Sequence, residues 1–480
     1  MSEYDLIVIG AGAVGENVAD RATQGGLRVV IVEQELVGGS CSYWACIPSK
    51  VLLRSSAAVN AARRVPGAAA AATGELDLPA VFARRNWWTG DWADDGQVDW
   101  LKSAGIDLVR GHARISGERA VTVTGSDGRV TELRATHAVA VCAGSAALLP
   151  DIEGLRDSAP WTSRDATSAQ SAPKSLAIIG GGVVAAELAT AFAEFGTRVT
   201  ILAGSGLLER MEPFAGELVA DALREKGVDI KLGASATRVQ RGKDGVTVQW
   251  EGKSGDGTSG DAGSVTAEQL LVATGRVPRT DDLGLESIGL QPGDWLSTDD
   301  SLRVHGFDWL YAAGDITHRA LLTHQGKYQA RAAGDAIAAR ARGEQLDLER
   351  WGRHVASADH AAIPQVTFTD PEVASVGLTA QQAKDADYAV RVVDYDLGTI
   401  QGAQILADGY TGHARMVVDT EREVLLGVTF VGQDVGELLH AATIAIVGEV
   451  TIDRLWHAVP SFPTMSEIWL RLLETWRDEA

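Results

Sequence analysis

The sequence predicts an α/β fold with two copies of one βαβ unit, followed by a separate α+β domain. Three observations carry this reading. The stretch YDLIVIGAGAVGENVADRATQGGLRVVIVEQ, from Tyr4, and the stretch SLAIIGGGVVAAELATAFAEFGTRVTILAG, from Ser175, superpose without gaps at an offset of 170. Each runs from an apolar strand through a glycine turn and an alanine-rich amphipathic helix to a second apolar strand, the pattern of a βαβ unit. From Ile363 the pattern changes to short alternating strands and turns with two helices, as in an α+β domain.

The glycines of the first copy make it Rossmann-like. Gly10 permits a tight turn, Gly12 close approach to a pyrophosphate, and Gly15 tight helix–strand packing. The helix that follows points free N–H groups at the phosphates. Glu33 closes the second strand, where a carboxylate binds a ribose hydroxyl. In the second copy Gly180 and Gly182 recur, Ala185 stands in the third glycine's place, and Ala203 replaces Glu33. A carboxylate there would repel a 2′-phosphate, so its absence leaves room for NADP(H). Gly204 and Ser205 bring no arginine to that phosphate, and Arg210 is the nearest. The reading favours NADPH over NADH.

Three further blocks connect these units. HAVAVCAGSAALLPDIEG (137–154) is a strand that ends at Gly144-Ser145, and LLVATGRVPRTDDLG (270–284) repeats the pattern at Gly275-Arg276. DWLYAAGDITHRALLTHQGKYQARAAGDAI (308–337) is a strand, an acidic turn at Gly314-Asp315 and a long helix; the charged stretch 340–354 reads as a linker. The expected boundaries are 1–153 and 278–350 for the two parts of a first nucleotide-binding domain, 154–277 for a second, and 351–480 for the last.

At 480 residues the chain exceeds one hydrophobic core. Its formal charge of −21 argues against nucleic-acid partners and anionic membrane surfaces. No apolar run reaches the roughly 18 residues that a membrane span needs. The opening MSEYDLIVIGAG leads straight into a strand, with no signal peptide expected, so a cytoplasmic location is expected. Three cysteines cannot make a disulfide framework, and a disulfide in that compartment would be redox-active rather than structural. No metal-ligating set is expected.

Two of those cysteines, Cys41 and Cys46, share GGSCSYWACIPSK (38–50). At i and i+5 of one regular helix they would point over about 100° apart, too far for a disulfide. A bond requires Cys41 where the chain enters the helix, in irregular backbone. A positive charge or a helix N-terminus near Cys46 would favour its thiolate, and Lys50 follows one turn later. Cys142, mid-strand in an apolar run, reads as core packing.

With these residues assembled, the chain resembles the class I pyridine nucleotide–disulfide oxidoreductases, among them lipoamide dehydrogenase and the glutathione, mycothione and mercuric reductases. Gly38-Gly39-Ser40-Cys41 and Cys46-Ile47-Pro48-Ser49-Lys50 carry the resemblance, which spans nearly all of the chain. It implies domains for FAD and NAD(P)H, an α+β dimerisation domain, and a homodimer with active sites shared between subunits. Cys41 would be the interchange thiol and Cys46 the charge-transfer thiol of a redox disulfide, with Lys50 beside the flavin and paired to Glu187. Gly10, Gly12, Gly15, Glu33, Ser40, Lys50, Ala113, Gly144, Ser145, Asp315 and Thr323 would contact FAD. Gly180, Gly182, Ala185, Glu187, Ala203, Gly275 and Arg276 would contact NAD(P)H. The segment IPQVTFTDPEVASVGLT (363–379) looks like the opening of the dimerisation domain.

The chain departs from the family at its dyad. Relatives present HPTxSE to the partner's cysteines; here the segment reads AVPSFPTMSEIW, so Phe462 stands at the base position while Pro463, Thr464, Ser466 and Glu467 align. His457 lies upstream of Pro460 and reads as a surface or interface residue. Glu467, without an imidazole partner, either titrates or bonds backbone at a turn. Losing a general base costs roughly 10²- to 10⁴-fold in steps that move a proton and spares hydride transfer. Phe is shared with 2-ketopropyl-coenzyme M oxidoreductase/carboxylase, although Ile47-Pro48-Ser49-Lys50 is the ordinary sequence after the second cysteine. No cysteine pair closes the C-terminus, which weighs against mercuric reductase. Val183 replaces the tyrosine that often shields the flavin. Tyr43, Trp44 and the tryptophans of RRNWWTGDW (84–92) suggest an apolar or aromatic small-molecule substrate, or equally core or dimer packing. The implied activity is NAD(P)H-driven disulfide reduction; the alternatives are a quinone or electrophile reductase working at the flavin, a thioether-cleaving enzyme of the carboxylase kind, and a redox-sensing flavoprotein.

Overall fold

A computed structural model describes residues 2–253 and 259–478. The chain forms two compact units, one of Met1–Pro48, Arg85–Ala147 and Arg276–His360, the other of Ser49–Arg84, Leu148–Gly275 and Ala361–Ala480.

In the first unit the strands Asp107–Arg110, Val29–Glu33, Ser2–Ile9 and Val130–Val141 lie side by side, all parallel. Leu310–Ala312 adds in parallel to the end of Val130–Val141, whose first half instead carries the antiparallel hairpin His112–Gly117 and Ala120–Thr124. Leu6, Ile7 and Val8 are all fully buried, as expected of a parallel strand covered on both faces. The helices Ala13–Gln24 and Thr323–Ala341 share one core through Val18, Ala22, Ala330 and Ile337. Gly334 sets their approach, because a Cβ there would sit 2.8 Å from the Val18 carbonyl oxygen.

The stretch 340–354, much of it exposed, is tied down at both ends. The Arg340 guanidinium donates to the Tyr311 hydroxyl and to Ser301 Oγ, and buried His354 accepts the Asp347 N–H at 2.9 Å through Nδ1. Counting charges in the sequence cannot reveal partners such as Tyr311 and Ser301, far along the chain.

The second unit holds the second Rossmann-like copy, a parallel sheet in the order Asp229–Leu232, Arg198–Ala203, Ser175–Ile179, Gln269–Val272, with the helix Val183–Glu194. An antiparallel meander, Ala234–Gly242, Gly245–Lys253 and Ser259–Ala267, follows. The C-terminal α+β domain is an antiparallel sheet ordered Pro364–Thr367, Glu372–Gly377, Val424–Gly432, His413–Asp419, Val390–Asp396. Leu439–Val447 and Glu467–Asp478 are its longer helices, packed onto Met416, Val418 and Phe430. The shorter helices Ala380–Asp385, Gln401–Leu406 and Ile452–Leu455 are elements that the sequence pattern did not show. Among the described residues no helix is long and apolar enough to cross a membrane.

Candidate active site

The glycine turn after Ser2–Ile9 does three separate jobs. Gly10 has φ +98°, and a Cβ on it would lie 2.5 Å from the Cys142 carbonyl oxygen. A Cβ on Gly15 would strike the Gly10 carbonyl oxygen at 1.9 Å. At Gly12 a Cβ would meet only Gly39 Cα, at 3.9 Å, so the space beside the turn stays clear. Glu33 closes the cradle: its carboxylate accepts the Ala11 and Glu35 N–H groups, each at 2.8 Å.

The cysteine segment is tied to this turn. Gly38 donates its N–H to the Ala11 carbonyl at 2.7 Å, and on Gly39, with φ +61°, a Cβ would lie 2.7 Å from Gly12 Cα, so only a hydrogen fits there. Cys41 lies in a one-turn helix, Gly39–Tyr43, and not in irregular backbone; the break falls at Trp44-Ala45, and Cys46 opens the helix Cys46–Arg63. The kink removes the angular problem of an i, i+5 pair by placing the two cysteines on different helices. Neither is in a disulfide here. The Cys41 thiol is pushed far above the ordinary range, first by its hydrogen bond with Cys46, then by burial, while Thr323 and Lys327 pull it down. Cys46 Sγ is 3.1 Å from Thr323 Oγ1, the first residue of the helix Thr323–Ala341.

A cavity of about 410 Å3 gathers most of the residues expected to contact a flavin nucleotide. Gly10, Gly12 and Glu33 line it from the first βαβ copy, Ser40 and Cys41 from the cysteine segment, and Ala113, Gly144, Ser145, Asp315 and Thr323 from later segments. Gly15 packs behind the turn and does not line the cavity. Its clear space beside Gly12 and its flanking carboxylates Glu33 and Asp315 suit a dinucleotide with a pyrophosphate at the turn and polyol hydroxyls beyond. Arg276, expected beside the nicotinamide nucleotide, lines this same cavity. Its guanidinium donates to Ser145 Oγ and, at 2.9 Å, to the Ser145 carbonyl, and the Ser145 hydroxyl donates to Asp315. Burial holds the Arg276 pKa below its ordinary value, with Asp315 opposing.

Cys142 also lines the cavity. It lies just past the strand that ends at Val141, and not mid-strand, with its N–H bonded to the Ile9 carbonyl and its thiol raised to about 12 by burial. Lys327, whose charge acts on Cys41, was missed by sequence reasoning; its spacing of one helical turn after Thr323 was the available signal. Glu16, in the first turn of Ala13–Gln24, was missed too: its carboxyl is buried, and burial lifts it to about 7.

In the second unit Lys50 Nζ donates to Glu187 at 2.7 Å, and the other Glu187 oxygen accepts the Phe368 N–H at 3.0 Å. Gly180 has φ +125° and repeats the role of Gly10, its missing Cβ lying 2.3 Å from the Ala273 carbonyl oxygen. Beside Gly182 the space is clear. Ala185 and Ala203 are fully buried, and Gly275, with φ +148°, follows the strand Gln269–Val272. Phe462 is 70% exposed on the single chain, while Glu467, 3% exposed, pairs through Oε1 with Arg471 at 2.6 Å. Its Oε2 is buried with no hydrogen-bond partner among the described residues. The tryptophans divide: Trp44 lines the cavity, Trp92 donates to the Tyr43 carbonyl at 3.2 Å, and Trp87 and Trp88 are exposed.

A family profile described as pyridine nucleotide-disulphide oxidoreductase matches residues 4–336, and one described as the dimerisation domain of that family matches residues 363–472. A mercuric reductase of Staphylococcus aureus is 30% identical over 472 residues, covering 97% of this chain and 81% of that protein. A dihydrolipoyl dehydrogenase of Geobacillus stearothermophilus is 31% identical over 484 residues, covering 98% and 96%. In fold, the chain is similar to the HOCl-induced flavoprotein disulfide reductase RclA of Escherichia coli in a Cu(II) complex, with TM-score 0.83, 23% identity and 99% of each chain covered. LpdA of Mycobacterium tuberculosis gives TM-score 0.80 at 24% identity, again over 99% of each chain. The protein is thus a flavin- and NAD(P)H-dependent oxidoreductase acting on sulfur-containing groups, with a dimerisation domain that supports a homodimer. The chain belongs to the pyridine nucleotide-disulphide oxidoreductase family.

Proposed function

We propose that this protein uses NAD(P)H to reduce a Cys41–Cys46 disulfide, which then reduces a small-molecule acceptor, without a histidine base. Its FAD-binding segments would be 1–153 and 278–350, its nicotinamide domain 154–277, and its dimerisation domain 351–480, acting as a cytoplasmic homodimer with active sites shared between subunits. The observation that carries the reading is the Cys41 thiol at the wall of a cavity shaped for a dinucleotide, hydrogen-bonded to Cys46, which lies where two helices start. FAD, when bound by Glu33, Asp315 and the Gly10–Gly12 turn, supplies relay of a hydride equivalent from nicotinamide to sulfur.

The residues divide the work. Net, one hydride and one proton convert the disulfide to two thiols. The asymmetry of the pair follows from its surroundings: the bond to Cys46 and burial keep the proton on Cys41, while Cys46 opens its helix with Thr323 Oγ1 at 3.1 Å, and a helix N-terminus favours a thiolate. Cys41 is then the thiol that attacks or releases the acceptor. Glu187 holds the Lys50 ammonium in place, with its second oxygen fixed by the Phe368 amide.

Phe462 is where relatives place the base, presented to the partner's cysteines. An exposed aromatic ring there excludes water from the shared site once a partner covers it, and it moves no proton. Acceptors whose reduction needs no general acid, apolar or aromatic in kind, are therefore favoured over dihydrolipoamide-type chemistry. The test is turnover with a disulfide panel and a quinone panel in wild type and Cys41→Ser, with mass-spectrometric trapping of a mixed disulfide on Cys41. Loss of disulfide reduction in Cys41→Ser supports the reading. Retained turnover with every acceptor would place the chemistry at the flavin and sink it.

A further inference from the structure

The second βαβ copy lacks a carboxylate at the end of its second strand, yet its loop brings one back. Ala203 ends the strand Arg198–Ala203 fully buried, with its Cβ 3.1 Å from the position a Gly181 Cβ would take. The Ala203 side chain is therefore packed against the glycine turn and carries no polar group for a ligand beside it. The loop that follows folds onto the same turn: Leu208 donates its N–H to the Gly181 carbonyl at 2.8 Å, and the Gly206 carbonyl oxygen lies 2.3 Å from where a Gly181 Cβ would be. Leu208 has φ +51°, a conformation that a branched residue adopts only where its surroundings impose it, and its side chain is buried as the anchor. The chain reverses there and sends exposed Glu209 back toward the strand end, where Ser205 Oγ donates to Glu209 Oε2 at 2.5 Å.

The internal repeat gives this contact its meaning. At the offset of 170, Ser205 is the counterpart of Glu35, whose N–H donates to the ribose-type carboxylate of Glu33. In the first copy the carboxylate is on the strand and residue 35 holds it. In the second the carboxylate arrives from the loop and residue 205 holds it. We infer that Glu209 selects the nicotinamide nucleotide, placing its carboxylate where the adenosine ribose 2′-hydroxyl of NADH docks and repelling the 2′-phosphate of NADPH. This rests on the second copy being the nicotinamide domain. It reverses the preference drawn from Ala203 alone, because the carboxylate that Ala203 lacks is supplied by the loop. A 2′-phosphate brought against a fixed carboxylate meets like-charge repulsion, and a hydroxyl instead donates a hydrogen bond to it. Arg210, next in the chain and exposed, is the residue that would produce the opposite preference.

The experiment is anaerobic stopped-flow reduction of the FAD-loaded homodimer by NADH and by NADPH, for wild type, Glu209→Gln, Ser205→Ala, Arg210→Ala and Ala203→Glu. Wild type should show a kcat/KM for NADH at least about tenfold above that for NADPH, the scale of one like-charge contact at a half-solvated site. Glu209→Gln should erase most of that ratio through a lower KM for NADPH, and Ser205→Ala should erase part of it by releasing the carboxylate. Arg210→Ala should leave the ratio within about twofold, and Ala203→Glu should not raise it. A wild-type preference for NADPH, or a ratio unmoved in Glu209→Gln, overturns the assignment of Glu209 while leaving the nicotinamide-driven function standing. Flavin reduced by neither nucleotide overturns both.

Discussion

Cys46 and Thr323 are each the first residue of a long helix, and they meet with Sγ and Oγ1 3.1 Å apart. Two helix starts thus meet at one sulfur, and the hydroxyl adds a hydrogen bond. Thr323→Val keeps the shape and removes that bond, which for a charged acceptor is worth about 1.5–3 kcal/mol. In reduced holoprotein, the long-wavelength absorbance that reports thiolate beside oxidised flavin should therefore need a pH about one to two units higher. Spectrophotometric titration of both proteins checks this, and superimposable curves would remove Thr323 from the account.

Lys50 and Glu187 form a 2.7 Å pair in which the carboxylate is 5% exposed and the lysine 36%. Lys50→Met leaves Glu187 with the Phe368 amide as its one remaining partner named above. A fully buried pair broken in this way costs about 3–5 kcal/mol, and the partial exposure of Lys50 lowers that to about 1–3 kcal/mol. Urea denaturation should show this loss, and adding Glu187→Gln should recover part of it. An unchanged midpoint in Lys50→Met would mean that the pair contributes nothing to stability.

Glu467 offers a buried acceptor, Oε2, while Arg471 holds Oε1. Phe462→His would place an imidazole in a Pro-Thr-x-Ser-Glu frame with that acceptor in the same segment. Reduction of small disulfides should then rise, by an amount bounded by the roughly 10²- to 10⁴-fold that a positioned base is worth. Arg471→Met should blunt the gain, since it frees the carboxylate to rotate. Steady-state rates in folded dimers decide this; no change in Phe462→His would mean that residue 462 does not face the cysteines.

Glu16 has its carboxyl raised from 4.5 to about 7, first by burial, with Lys327 opposing and Glu33 adding. The folded state therefore keeps a proton that the unfolded chain has released. Stability from this group is full below pH 4.5 and falls as the pH rises through the window to about 7. Glu16→Gln should flatten that decline and raise the melting temperature at pH 8, by the equivalent of up to about 3 kcal/mol. Thermal melts from pH 5 to 8 test it, and parallel profiles would show that Glu16 is solvated in solution.

The local features were legible in the sequence because each depends on neighbours along the chain. Gly10, Gly12 and Gly15 follow a strand and open a helix, and the spacing alone defines the turn. The repeat at an offset of 170 exposed two Rossmann-like copies, and the change of period after Ile363 marked the antiparallel domain. The cysteine pair was legible as chemistry for the same reason. What the tertiary structure alone decided involves groups far apart in sequence. Arg276 sits with Ser145 and Asp315, not with the second glycine turn, because the short strands Arg276–Pro278 and Ser145–Ala147 pair. Thr323 reaches Cys46 across 277 positions, and Arg340 finds Tyr311 within what read as a linker. Ala203 looked like a missing carboxylate because an aligned position reports only which residue is present. Its burial, and the return of Glu209 to Ser205, depend on a loop that folds against the glycine turn, and hydrogen bonds between backbone groups leave no mark in side-chain identity.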